Sequence, residues 1–271
     1  MSGMPIMLKQ GPACMPAGSA TRPVESLAGI AIFRELAAAD VASLSRSCRW
    51  RRYGAGQTIL QRHDESREVF FVVRGQVCAV YHSASGREVR LCDLPAGEIF
   101  GEFAAIDGEP RSSDVVSITD TLIASMSAEA FWTVLHRYEP ACAAFLQRLT
   151  RAVRQVQQRV VEFSILPVRN RLHAELLRLA QISPPGPNRN MAVITPVPTH
   201  AEIASRISTH REAVTRELNK LARARVITKR RNALVIHDVA ALMDMVEKMS
   251  EEPCLWLTSA GAGGSSRARR A

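Results

Sequence analysis

The sequence predicts an α+β chain in three parts: an antiparallel β-roll of the jelly-roll kind, one long helix, and a basic domain of helices with a hairpin. Three observations predict it. Short β-rich runs separated by turns fill residues 50–126. Apolar residues then step by three and four along 146–163. The net charge of +9 is unevenly placed, with 18 Lys and Arg against 17 Asp and Glu in residues 1–165, and 17 against 9 in residues 166–271. A near-neutral first part joined to a strongly basic second part points the second part at a polyanion.

At 271 residues the chain has room for one large or two ordinary domains, each with its own core. Residues 1–26 are rich in Pro, Gly and small residues, and residues 251–271 end in "SAGAGGSSRARRA"; both are expected to be disordered. The start shows no basic segment followed by an apolar run, and no apolar run approaches the ~20 residues of a membrane span. A cytoplasmic protein without membrane contact is expected. Cys14, Cys48, Cys78, Cys92, Cys142 and Cys254 form no C-x-x-C pair, so reduced thiols are expected, with no disulfide frame and no metal.

Leu27, Ile30, Phe33 and Leu36 have helical spacing and predict a helix within 27–47, at the start of a domain covering 27–128. "VFFVV", "VCAVY", "EVRLC", "VVSI" and "TLIASM" predict its strands, with turns at Gly75, "SASG" and "PAGE". A continuous long helix is expected over 129–166. Along it Leu146, Leu149, Val153, Val156, Val160 and Phe163 step by 3, 4, 3, 4 and 3, a heptad seam. Leu149, Val153, Val156, Val160 and Phe163 therefore predict a parallel coiled-coil homodimer, while Arg148, Arg151, Arg154 and Arg159 take the other faces. Pro167 ends this helix. "PVRNRLHAELLRLAQI" forms the next one, opening a domain over 167–250, and "SPPGPNRN" is a loop by composition.

Within that domain Thr199 is an N-cap, with Glu202 at capping-box spacing. Ile203, Ala204 and Ile207 make an apolar face. After the short break "STH" a second helix turns Ala213, Val214, Leu218 and Leu221 inward and exposes Arg211, Glu212 and Arg216 on one face. An arginine pairs bidentately with guanine O6 and N7, and a glutamate accepts from cytosine N4. "VITKRRNALVIHD" then gives two strands around a basic turn, a wing whose Lys229 and Arg230 suit phosphate contact. Thr199 and His210, at the starts of the two helices, join the DNA-binding set. A winged helix-turn-helix on double-stranded DNA is the expectation.

The segment "GEFAAIDGEPRSSD", 101–114, lies between strands. It holds a carboxylate and a guanidinium nine residues apart, joined by a turn, which is what a cyclic phosphate diester on a ribose needs. Glu102 accepts the ribose 2′-OH, and Arg111 supplies charge to the phosphate. Ser112 adds a hydroxyl and a backbone N–H, and the helix starting near Glu102 directs N–H groups at the anion. Gly101 permits close backbone approach and Phe103 completes the ligand set. No P-loop, nucleophile motif or metal cluster accompanies these groups, so binding without turnover is expected.

"FGEFAAIDGEPRSSDV" resembles the phosphate-binding cassette, and "HREAVTREL" the recognition helix, of the cyclic AMP receptor protein branch of the Crp/Fnr transcription regulators. The resemblance covers about residues 27–240. It implies cyclic AMP or cyclic GMP as allosteric ligand, with Gly101 and Glu102 at the ribose and Arg111 and Ser112 at the phosphate. It implies Arg211, Glu212 and Arg216 as base readers on palindromic, TGTGA-like half-sites. The pair that the family places on the long helix against the adenine falls on Val156 and Gln157, and the Gln157 amide both donates and accepts. The turn before the recognition helix carries Ser208 where the family usually has glycine. "SPPGPNRN" replaces a loop that contacts RNA polymerase in the family, leaving that partner open. The alternative is a Crp/Fnr-type regulator that binds DNA without nucleotide or senses another ligand, such as a haem-bound gas held by Cys78 or His82. An iron–sulfur sensor needs an N-terminal cysteine cluster, and that region offers only Cys14.

Overall fold

The computed structural model describes residues 25–83, 88–182 and 190–250. The two tails, Cys14, Cys254 and nearly all of "SPPGPNRN" lie outside them. The chain opens with a 3-10 turn, Ala31–Phe33, and then α1, Ala38–Ser47. The single helix expected over 27–47 is thus two pieces. Leu27 donates its backbone N–H to Ser45 Oγ at 3.0 Å, so the first piece folds back on α1 and buries Leu27, Ile30 and Phe33 in the same core.

Eight strands follow: β1 Arg49–Tyr53, β2 Thr58–Leu60, β3 Val69–Arg74, β4 Gln76–His82, β5 Glu88–Pro95, β6 Ile99–Phe100, β7 Asp114–Ser117 and β8 Thr121–Met126. The short helix α2, Glu102–Asp107, separates β6 from β7. They form two four-stranded antiparallel sheets, ordered β1-β8-β3-β6 and β2-β7-β4-β5. β3 shows how the sequence encodes the roll. Its residues alternate sides, as a strand requires. Phe70 and Val72 enter the cluster shared with Val77, Leu94 and Val115 of the other sheet. Val69 and Phe71 face the helices and pack with Phe33, Phe131 and Phe145. Both faces are covered, so the run is apolar throughout and lacks simple alternation.

The helical stretch after the roll is broken. α3 spans Ala128–Arg137 and α4 spans Glu139–Ile165, with Tyr138 extended between them (φ −119°, ψ 95°). The cause is Pro140, which lacks an N–H and clashes with the preceding turn; it is accommodated only in the first turn of α4. Heptad residues Val153, Val156 and Val160 are 57–62% exposed on the single chain, whereas Leu149 packs partly on the roll core. At the other end Leu166 is extended before Pro167, as the residue before proline prefers.

The last domain comprises α5 Val168–Ile182, β9 Ala192–Ile194, α6 His200–Arg206, α7 Arg211–Arg223, β10 Ile227–Lys229, β11 Leu234–Ile236 and α8 Val239–Ser250. Its small sheet runs β10-β11-β9. Leu172, Leu176, Ile203, Val214, Leu218 and Leu242 build one core. Among the described residues no helix is long and apolar enough to cross a membrane.

Candidate functional site

The cassette begins where β6 ends. Gly101 is left-handed (φ 76°, ψ 6°), and a Cβ there would lie 2.8 Å from Arg111 Nη1 and 3.1 Å from the Glu68 carbonyl oxygen. Only glycine fits both the backbone angle and the space. The Arg111 side chain comes back across this turn and is 3% exposed. It donates from Nη1 to the Gly101 carbonyl (2.7 Å), from Nη2 to the Glu68 carbonyl (2.9 Å) and from Nε to Ser66 Oγ (3.1 Å). A guanidinium has five N–H groups, so two remain for an anion. All three acceptors are neutral, which leaves its charge without a hydrogen-bonded carboxylate. Burial pulls the Arg111 value below its ordinary one, against the pull of Glu68, Asp64 and Glu102.

Glu102 opens α2 and is 5% exposed. Its carboxylate accepts from Arg148 Nη1 of α4 at 2.7 Å. Arg148 also donates from Nε to Glu98 Oε2 (3.1 Å) and from Nη2 to the Ile99 carbonyl. Burial alone would depress the Arg148 guanidinium; Glu102 and Glu98 raise it instead. A charge that the heptad pattern assigns to an outward face is therefore largely withdrawn from solvent (15% exposed) and joins the long helix to the cassette.

A cavity of about 600 Å³ lies between the cassette, β5 and α4. Gly101, Glu102, Phe103, Arg111 and Ser112 all line it. From α4 come Arg148, Arg151, Gln155, Val156 and Arg159. Gln157 is not brought there: it is exposed and absent from the lining, because it lies a further 100° round the helix from Val156. Gln155 is the α4 amide that reaches the cavity of its own chain. Four guanidiniums (Arg111, Arg148, Arg151, Arg159) face three carboxylates (Asp93, Glu98, Glu102) across this space, an excess of positive charge.

In the last domain Thr199 caps α6 in a full capping box with Glu202. Ser208 is left-handed (φ 50°), and the Thr209 N–H bonds the Ala204 carbonyl at 3.0 Å. That is a Schellman ending with serine in the glycine position. α7 buries Val214, Leu218 and Leu221 and leaves Arg211, Glu212 and Arg216 exposed; His210, its N-cap, is exposed too. Lys229 and Arg230 are exposed at the wing, where the Arg230 N–H closes the turn on the Ala233 carbonyl at 2.7 Å.

Cys78 is 7% exposed within β4. His82 Nδ1 lies 2.8 Å from Asp114 and Nε2 3.6 Å from Glu88, so carboxylates hold both ring nitrogens. No group of three or more metal-ligating side chains forms among the described residues. Cys48, Cys78, Cys92 and Cys142 are free thiols, and burial pushes Cys48 up to about 11.

Comparison with known proteins agrees with this geometry. Residues 50–138 match the cyclic nucleotide-binding domain and residues 170–245 the Crp-like helix-turn-helix domain. The chain is 26% identical over 217 residues to the cyclic AMP receptor protein of Thermus thermophilus, covering 80% of this chain and 97% of that one. It is 25% identical over 215 residues to a CRP-like cAMP-activated global transcriptional regulator of Mycobacterium tuberculosis, covering 79% and 95%. A solved CRP-family transcriptional regulator from Thermus thermophilus superposes with a TM-score of 0.60 at 25% identity, covering 72% of this chain and 96% of that chain. The Mycobacterium tuberculosis relative and the solved Thermus thermophilus protein are transcriptional regulators.

Proposed function

We propose that this chain, which belongs to the Crp/Fnr family of transcription regulators, is a homodimeric, sequence-specific DNA-binding regulator that responds to a purine cyclic mononucleotide, cyclic AMP or cyclic GMP. One observation carries the reading. A single cavity joins a buried arginine with two unspent donors, Ser112, and a buried carboxylate, beneath a helix whose exposed Val156 and Val160 continue from the cavity wall into the heptad seam. Arg111 and Ser112 take the cyclic phosphate, and Glu102 takes the ribose hydroxyl while Arg148 keeps it oriented. Gln155 and Arg151 lie further along α4 and face the base.

The seam of Val153, Val156, Val160 and Phe163 pairs with that of a second copy. The Arg211, Glu212 and Arg216 faces then enter successive major grooves ~34 Å apart, on a palindromic TGTGA-like operator. Thr199, His210, Lys229 and Arg230 hold the backbone. The ligand acts by shifting the population between two arrangements of the dimer. Fluorescence anisotropy on an operator duplex selected from random sequence tests this. Operator affinity rises when cyclic AMP or cyclic GMP is added; equal affinity with and without either nucleotide would remove the sensory role and leave a DNA-binding protein.

A further inference from the structure

Two residues at the far end of the cavity, Asp93 and Arg159, hold side chains of the DNA-reading domain. α6 lies on β5, an edge strand of its sheet, whose outer backbone groups lack a neighbouring strand. Ser205 of α6 supplies the missing partner: its Oγ accepts from the Arg90 N–H at 3.0 Å and donates to the Glu88 carbonyl at 3.0 Å. Side chains then tie the two elements ionically. Arg90, 8% exposed, binds Asp93 at 2.6 Å and Glu202 of α6 at 3.2 Å. Arg206 of α6 bridges Asp93 and Glu175, the latter at 3.3 Å. Glu175, 1% exposed, also takes Arg159 of α4 at 3.0 Å, and Arg159 donates to the Arg206 carbonyl. Glu202 is the same carboxylate that completes the capping box of Thr199.

Two members of this network, Asp93 and Arg159, also line the cavity. Arg148, at the cassette, and Arg159 are eleven residues apart on α4, about 16 Å at the helical rise. The cavity therefore runs along the helix from the cassette to the ion network. We infer that Asp93 and Arg159 are positioning residues that pass the occupancy of the cavity directly to α6, through Arg206, Glu175 and Arg90, alongside the path through the dimer seam and Pro167. This rests on the function proposed above. A ligand anchored at Arg111 and Glu102 extends its base toward Asp93 and Arg159. Polar groups there compete with Arg206 and Glu175 for the same two side chains. The network holds Glu202, so its rearrangement reaches the capped end of α6 and Thr199.

The test cuts the network on the reading-domain side, away from the cavity, with Arg206→Gln and the milder Ser205→Ala. Operator affinity is measured with and without cyclic AMP and cyclic GMP, and nucleotide affinity by calorimetry. In the unaltered chain the nucleotide changes operator affinity by roughly fivefold or more. In both variants that ratio falls below about twofold while nucleotide affinity stays within about twofold; variants that keep the full ratio overturn the inference. A second arm needs no nucleotide. Because coupling is reciprocal, operator binding alters amide exchange along β5 in the unaltered chain and not in the variants. Should the unaltered chain take up neither nucleotide, the proposed function fails. The exchange arm then decides the path alone: unchanged β5 exchange on operator binding overturns it.

Discussion

Replacing Arg148 by methionine isolates the contact that joins the cassette to the long helix. Methionine keeps most of the apolar stem and removes the guanidinium, leaving Glu102 without its cation at 2.7 Å. The Glu102 side chain is 6% exposed and that of Arg148 15%, so solvent replaces little of what is lost. Removing one partner of a buried pair costs about 3–5 kcal/mol. The Glu98 contact adds little, because that side chain is 36% exposed and is rehydrated. With a urea m-value of about 2 kcal/mol per molar, a loss of about 3 kcal/mol moves the β-roll midpoint down by about 1.5 M. Trp50 and Trp132 both lie in or against the roll, so their fluorescence follows this transition. Adding Glu102→Gln removes the stranded charge and restores more than half of the loss, a coupling that a double-mutant cycle reads directly. A midpoint for Arg148→Met within 0.5 M of the unaltered protein (about 1 kcal/mol), or a double variant no more stable than additivity gives, refutes the reasoning.

Further expectations concern the other parts. Arg211→Ala relaxes the base preference of the operator by about 1–3 kcal/mol at one position per half-site while salt-dependent binding persists; competition with substituted duplexes measures it, and an unchanged preference contradicts the assignment. Val153→Glu with Val160→Glu removes four seam valines from a dimer, at about 1.5 kcal/mol each. That is about 6 kcal/mol, or some 10⁴-fold in dissociation constant, and sedimentation shows a monomer. A dimer of undiminished stability places the interface elsewhere. His173 is 3% exposed; its Nε2 lies 3.1 Å from Glu217 of α7, and its Nδ1 has no partner among the described residues. Burial lowers its value, with Glu217 opposing. The folded value lies below the unfolded ~6.5, so this contribution is full above about pH 6.5 and lost as pH falls toward the folded value. Thermal melts of the C-terminal domain drop on acidification, and His173→Gln flattens the dependence between pH 7 and 5.

Much of this architecture is legible in the sequence because the signals are local. β3, β4, β5, β7 and β8 announce themselves by β-branched and aromatic runs between turns. Thr199 and Glu202 announce the start of α6 by spacing alone. β6 and β9, with two and three residues, are too short to show a period. The break at Tyr138 has a local sign in Pro140, but proline in a first turn is equally compatible with a helix, so the sign alone does not fix the break. The cassette is legible because its chemistry sits within a few residues. Its ionic surroundings are not, since Arg148 lies 46 residues from Glu102 and reads as a solvated face. The network on α6 is less legible still, as Arg206 and Asp93 are 113 residues apart and only the folded chain brings them together. Gln157 and Gln155 differ by two positions, and only the orientation of α4 against the roll decides which amide faces the cavity.

Calorimetric titration of the purified chain with cyclic AMP and with cyclic GMP, beside an Arg111→Ala variant, tests the central claim most directly. At least one nucleotide binds the unaltered chain at micromolar concentration. The variant, lacking the charged donors at the phosphate, binds it about 10- to 100-fold more weakly, as losing a hydrogen bond to a charged group worth about 1.5–3 kcal/mol requires. No heat from either nucleotide, or equal affinity in the variant, contradicts the account.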